Sequence, residues 1–169
     1  MPEIELDGRK TGMNFAYTHM VPGHPKCGRC HGHTGAVIIR FHGPMGNKNM
    51  VIDFGVLKAA ARRVIEKVDH FTVLGLLQEG LKVRVAAKSV WVSAFPSVDS
   101  VGRPTGVPKK YMFPKEDVTI LANSTCTAEG LSEWFADQMW QELSAEDLDE
   151  SCAIQVGWCE GDNIAWSQW

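Results

Sequence analysis

No stretch of this 169-residue chain is apolar for the roughly 20 residues that a helix needs to cross a bilayer. The segment Met1 to Asp7 has neither a basic patch nor an apolar core, so it does not read as a secretory leader. Neither sign of charge is in large excess: 17 Lys and Arg stand against 20 Asp and Glu, a net charge of -3. That balance excludes the strongly basic surface expected of a partner for nucleic acid or an anionic membrane. There is no internal repeat and no low-complexity segment. Five cysteines, an odd number, do not make a disulfide framework, and the expectation is a reduced, cytoplasmic protein. The length suits one domain able to bury a proper core.

The distinctive chemistry lies in Cys27-Gly28-Arg29-Cys30-His31-Gly32-His33, with His19 twelve residues before His31. A His-Gly-His on an extended segment points both imidazoles to one face, because strand side chains alternate. A third imidazole from a neighbouring strand completes a three-histidine zinc site whose fourth position stays open, the pattern of a catalytic rather than a structural zinc. Cys27 is close enough in the chain to act on whatever binds there. A competing reading takes Cys27, Cys30 and His33 as a zinc knuckle, although it lacks a well-spaced fourth partner. A cupin-type site is excluded, since Thr34 to Phe41 holds no glutamate.

The patterning predicts an α+β domain spanning 1–169. Met13 to Val21 reads as a first strand, with Phe15, Tyr17 and His19 on one face. Pro22-Gly23-His24-Pro25 forces a turn, and the run from His33 through Phe41 reads as a second, antiparallel strand. Leu57, Ala60, Ala61, Val64, Ile65 and Val68 recur at helical spacing and predict a helix over Val56–Val68, with Asp53 placed to cap it. The apolar stretch 81–95 predicts a strand or hairpin, and the Pro, Gly and charge of 96–117 predict an exposed loop. A second helix is expected from about Thr127 to Leu143. Strands at Ala153–Cys159 and Asn163–Trp169 follow, joined by a Gly161-containing turn.

Phe15-Ala16-Tyr17-Thr18-His19, Cys27-x3-His31-Gly32-His33, Asp53-Phe54 with Leu57-Lys58, Asp69-His70, Thr127-Ala128-Glu129 and a late strand ending in Glu160 occur in that order. In this set the chain resembles the 6-pyruvoyl-tetrahydropterin synthase superfamily, above all its 6-carboxy-tetrahydropterin synthase branch. The resemblance implies the T-fold: an antiparallel sheet with two helices on one face, its strands joining an intersubunit β-barrel, commonly in a dimer of trimers. It implies Zn2+ held by His19, His31 and His33, with a pterin triphosphate as the small-molecule substrate. Cys27 corresponds to the general base, and Asp69 and His70 to its partners in proton transfer. Glu160 corresponds to the carboxylate that anchors the pterin, with Thr127 and Glu129 also in substrate-binding positions. Read without the resemblance, His70 is a residue that favours a helix C-terminus and Glu160 a solvated charge. Lys26 and Arg29 suit a triphosphate, or are simply exposed. The chain departs from the family in its long 71–122 segment, read as an inserted β element and loop, and in Gly35, where an aromatic often follows His-Gly-His. The Cys27-to-His31 spacing favours the carboxy branch, with the pyruvoyl enzyme as the alternative and a non-catalytic zinc-binding interaction module as the second.

Overall fold

One long strand organises the protein. The computed structural model describes residues 1–143, 148 and 150–168. Along the chain come β1 (Glu3–Asp7), β2 (Asn14–His19), β3 (His31–His42), α1 (Phe54–Ile65) and β4 (Phe71–Gly75). A second set of strands follows, with β5 (Leu81–Val85), β6 (Ser89–Ala94), β7 (Ser97–Val98), β8 (Pro104–Thr105) and β9 (Lys109–Pro114). The chain ends in β10 (Val118–Leu121), α2 (Ala128–Glu142), β11 (Ala153–Glu160) and β12 (Asn163–Trp166). β3 pairs antiparallel with β2 and β1 along one edge and with β11 along the other. The main sheet has the order β10-β4-β2-β3-β11-β12, with β1 beside β3. β4 runs parallel to both β2 and β10, so the sheet is antiparallel through its centre and parallel at one edge.

Alternation divides the sheet into two faces. Val37, Ile39 and Phe41 of β3, with Ile154, Val156 and Trp158 of β11, share the main core with Leu57, Ala61 and Val64 of α1 and Leu131, Phe135 and Met139 of α2. Both helices therefore cover one face. The opposite face carries Ala36, Ile38 and Cys159 with Ile164 and Trp166, and the Arg40 guanidinium lies 4.1 Å from the centre of the Trp166 ring.

α1 begins at Phe54, two residues before the expected Val56, because the Asp53 side chain accepts from Gly55 N at 2.6 Å and caps it there. It ends at Ile65 rather than Val68, and the chain turns through 66–70 into β4. Residues 96–117 correct the expectation of a loop: β9 lies within them and pairs with β6 in a separate sheet ordered β5-β6-β9. Tyr111 and Phe113 alternate inward against Val90 and Val92, but flanking lysines and prolines obscure that alternation in the sequence. The last strand stops at Trp166, and Trp169 lies outside the described residues. Gly161, at φ +60°, forms the tight turn between β11 and β12.

Gly35 has a packing reason. A Cβ there would meet Phe15 Cε2 at 2.6 Å, and that ring is held edge-on to Trp158 with 5.0 Å between centroids. Gly35→Ala gains about 0.5–1 kcal/mol of strand propensity but overpacks the core at about 1–3 kcal/mol. The expected net result is a loss of about 1–2 kcal/mol, seen as a lower urea midpoint at unchanged slope.

Candidate metal centre and its surroundings

Pairing of β2 with β3 sets His19 opposite His31 and Tyr17 opposite His33. Because 17, 19, 31 and 33 all fall on the helix-facing side, the three imidazoles converge on one another. One ring nitrogen from each lies within 4.8 Å of the others, and the ring centroids are 4.6–5.1 Å apart. The turn at Pro22–Pro25 makes this possible by reversing the chain between the two strands.

The ring orientations are fixed from behind. His19 Nδ1 lies 2.6 Å from the Cys126 carbonyl oxygen and His31 Nδ1 lies 2.7 Å from the Arg29 carbonyl oxygen. A carbonyl only accepts, so each Nδ1 carries the proton and each Nε2 presents a lone pair to the cluster. His19 is 3% exposed, and His19 Nε2 and His33 Nε2 are buried without a hydrogen-bond partner. Burial also holds the His19 imidazole below its ordinary pKa, favouring the neutral form that binds metal. Orphaned buried nitrogens that converge in this way suit a metal ion, and imidazole donors suit zinc. Among the described residues, no other His, Cys, Asp or Glu side chains form such a group.

Cys27 lies in the loop joining the two ligand-bearing strands. Its carbonyl accepts from Val21 N at 2.7 Å, and its own N–H donates to His24 Nδ1 at 3.0 Å. It is a half-buried free thiol. Cys30 packs instead against the apolar cluster of Met20, Leu74 and Val92, and burial raises its pKa. That placement leaves the Cys27/Cys30/His33 knuckle without support. Lys26 and Arg29 are exposed on the same loop, and Lys109 of the β5-β6-β9 sheet donates to Gly28 O at 3.3 Å.

Glu160 ends β11, paired with Gly35, and reaches the rim of the cluster. Its Oε1 is 3.9 Å from His19 Nε2 and its Oε2 is 3.8 Å from His33 Nε2. The Tyr17 hydroxyl donates to Oε1 and accepts from Trp158 Nε1 at 2.9 Å. Burial, and then the neighbouring carboxylate, push the Tyr17 hydroxyl well above its ordinary range, so it remains a donor. Tyr17 and Trp158 are the residues that sequence reasoning missed. Their signal was alternation with His19 and Glu160, which is also the signature of ordinary core.

Asp69 and His70 lie on the turn between α1 and β4, outside the three-histidine group. Asp69 Oδ1 accepts from Ala16 N at 2.9 Å and lies 2.8 Å from His70 Nδ1, while His70 N donates to Ala16 O at 2.6 Å. The pair is clipped to β2, and His70 adopts φ +64°, a strained conformation for a residue with a Cβ. The His70 side chain is 81% exposed and borders a cleft that Ala16, Thr18, Gly32 and Thr34 line together with Tyr17, Phe71 and His33, so it shares that cleft with one of the three histidines. Among the described residues, no hydrogen bond, ion pair or ring contact joins it to Cys27 or the three histidines. Thr127 caps α2, accepting from Gly130 N at 3.2 Å, and Glu129 is exposed in the first turn of that helix.

A mixed sheet with two helices on one face is the T-fold architecture, here carrying a three-histidine cluster. The chain belongs to the 6-pyruvoyl tetrahydropterin synthase family, whose model matches residues 9–167. A Methanocaldococcus jannaschii protein provisionally named 6-carboxy-5,6,7,8-tetrahydropterin synthase is 28% identical over 159 residues, 94% of this chain and 90% of that one. An Archaeoglobus fulgidus protein of the same provisional name is 40% identical over 57 residues, covering 34% of this chain and 50% of its own. The solved Plasmodium vivax 6-pyruvoyltetrahydropterin synthase matches the fold with TM-score 0.77 at 20% identity, over 98% of this chain and 95% of that one. No helix among the described residues is long and apolar enough to cross a membrane.

Proposed function

We propose that the protein is a zinc-dependent 6-carboxy-5,6,7,8-tetrahydropterin synthase. It converts 7,8-dihydroneopterin triphosphate and water to 6-carboxy-tetrahydropterin, acetaldehyde and triphosphate, a step toward 7-deazaguanines such as queuosine. The observation that carries this reading is the convergence of His19, His31 and His33 with two orphaned buried nitrogens, beside a carboxylate on the same face. The names of the archaeal relatives support the carboxy branch.

Zinc held by the three histidines would supply Lewis acidity, easing loss of protons from the hydroxyls of the substrate's side chain. Cys27 takes such a proton as its thiolate, and the side chain rearranges through enol intermediates as triphosphate leaves. Asp69 orients the His70 imidazole for proton transfer. The exposure of the His70 side chain fits a site completed by a second copy of the chain, in a cytoplasmic homo-oligomer such as a dimer of trimers. Glu160 accepts two parallel hydrogen bonds from the amino and ring N–H groups of the 2-amino-4-oxo ring. Thr127 and Glu129, next to the carbonyl that orients His19, border the pterin, and Lys26 and Arg29 are placed to meet the triphosphate.

The alternative product is 6-pyruvoyl-tetrahydropterin, from an enzyme that stops before the side chain is cut. Incubating zinc-loaded protein with 7,8-dihydroneopterin triphosphate and assaying free triphosphate tests both lyase readings. Release is expected; metal-replete protein that releases none is a binding module instead.

A further inference from the structure

We propose that Tyr17 is a positioning residue whose hydroxyl holds the Glu160 carboxylate off the metal centre. The inference rests on reading His19, His31 and His33 as a metal site and Glu160 as a ligand acceptor, and it concerns what keeps those two roles apart.

Two donor atoms bound to one zinc stand roughly 3–3.5 Å from each other, given bonds near 2.0–2.2 Å. The Glu160 oxygens lie 3.8 and 3.9 Å from two of the histidine nitrogens, only slightly beyond that range. Carboxylates are good zinc ligands, so a small side-chain rotation would turn Glu160 into the fourth ligand and close the open position. The same rotation would take its lone pairs from any N–H group of a bound ring.

Tyr17 opposes that rotation. Its ring is 3% exposed and is fixed between Phe15, His19 and Trp158, at centroid distances of 5.9, 5.3 and 5.1 Å. The indole N–H of fully buried Trp158 can only donate, so the tyrosine oxygen accepts there, and its single proton points to Glu160 Oε1. The Trp158–Tyr17–Glu160 chain thus has one direction and one resting place for the carboxylate. A hydroxyl with no indole behind it would be free to turn; this one is not.

The test loads the protein with Co2+ in place of zinc and reads the visible d–d absorption, which reports coordination, together with affinity from chelator competition. Wild type is expected to bind one Co2+. Tyr17→Phe is expected to change the d–d spectrum and to bind measurably more tightly, as the freed carboxylate joins the metal. Tyr17→Phe combined with Glu160→Gln should return both readings to wild type. Trp158→Phe, which leaves the tyrosine but frees its hydroxyl, should shift both in the same direction to a smaller degree, and it carries the test if Tyr17→Phe does not fold. A Tyr17→Phe protein with wild-type spectrum and affinity overturns the proposal, as does a gain that survives in the double variant. Wild-type protein that takes up no Co2+ removes the metal-site reading and this inference with it, and that failure appears before any variant is compared.

Discussion

Replacing His31 with alanine is expected to abolish zinc binding and turnover together, whereas replacing Cys27 with alanine keeps near-stoichiometric zinc and loses turnover alone. The two residues are four positions apart, and their surroundings differ. His31 is locked by the Arg29 carbonyl with its Nε2 toward its two partners, so its removal leaves two imidazoles, too few for a stable site. Cys27 is held by backbone bonds to Val21 and His24, and its thiol is not part of the three-histidine group. Loss of a proton-transfer group typically costs about two to four orders of magnitude in rate. Elemental analysis beside steady-state kinetics checks both variants. A Cys27→Ala protein that has shed its metal would restore the knuckle and remove the general base.

Glu160→Gln is expected to weaken binding of a pterin ligand such as sepiapterin by roughly 2–4 kcal/mol, while zinc content barely moves. One charge-assisted acceptor is lost, and an amide N–H comes to face a ring N–H. The substitution also meets the Tyr17 hydroxyl, which can still donate to the remaining amide oxygen, so the melting temperature should shift little. Calorimetric titration reads the affinity directly. An unchanged value would make Glu160 a structural partner of Tyr17 and send the search for the pterin anchor elsewhere.

The reach of the sequence ends where periodicity does. β2 and β3 were legible because alternation, a Pro-Gly-His-Pro turn and β-branched residues agree, and their pairing brought His19 to His31 and His33. Both helices were legible from apolar spacing, the first also from its cap Asp53, while the capping role of Thr127 emerged only in the structure. β4 and β10 were not, because short strands in a parallel edge, Phe71–Gly75 and Val118–Leu121, show no alternation to distinguish them from buried linker. β1 does carry the period-two signal, Ile4 and Leu6 set between three carboxylates, so this strand was legible in Glu3–Asp7 and went unassigned. At the site, Tyr17 looked like core because it is core, 3% exposed, and only its hydroxyl has a polar task. The left-handed backbone of His70 is a property of the turn after α1, which no residue type in 66–70 announces.

The most direct measurement is mass spectrometry of the pterin formed when the zinc-loaded protein meets 7,8-dihydroneopterin triphosphate. The account predicts a product with the mass of 6-carboxy-tetrahydropterin, acetaldehyde in equal amount, and neither from the Cys27→Ala protein. A product with the mass of 6-pyruvoyl-tetrahydropterin would move the protein to the other branch, and unchanged substrate in the presence of bound zinc would contradict the enzyme reading altogether.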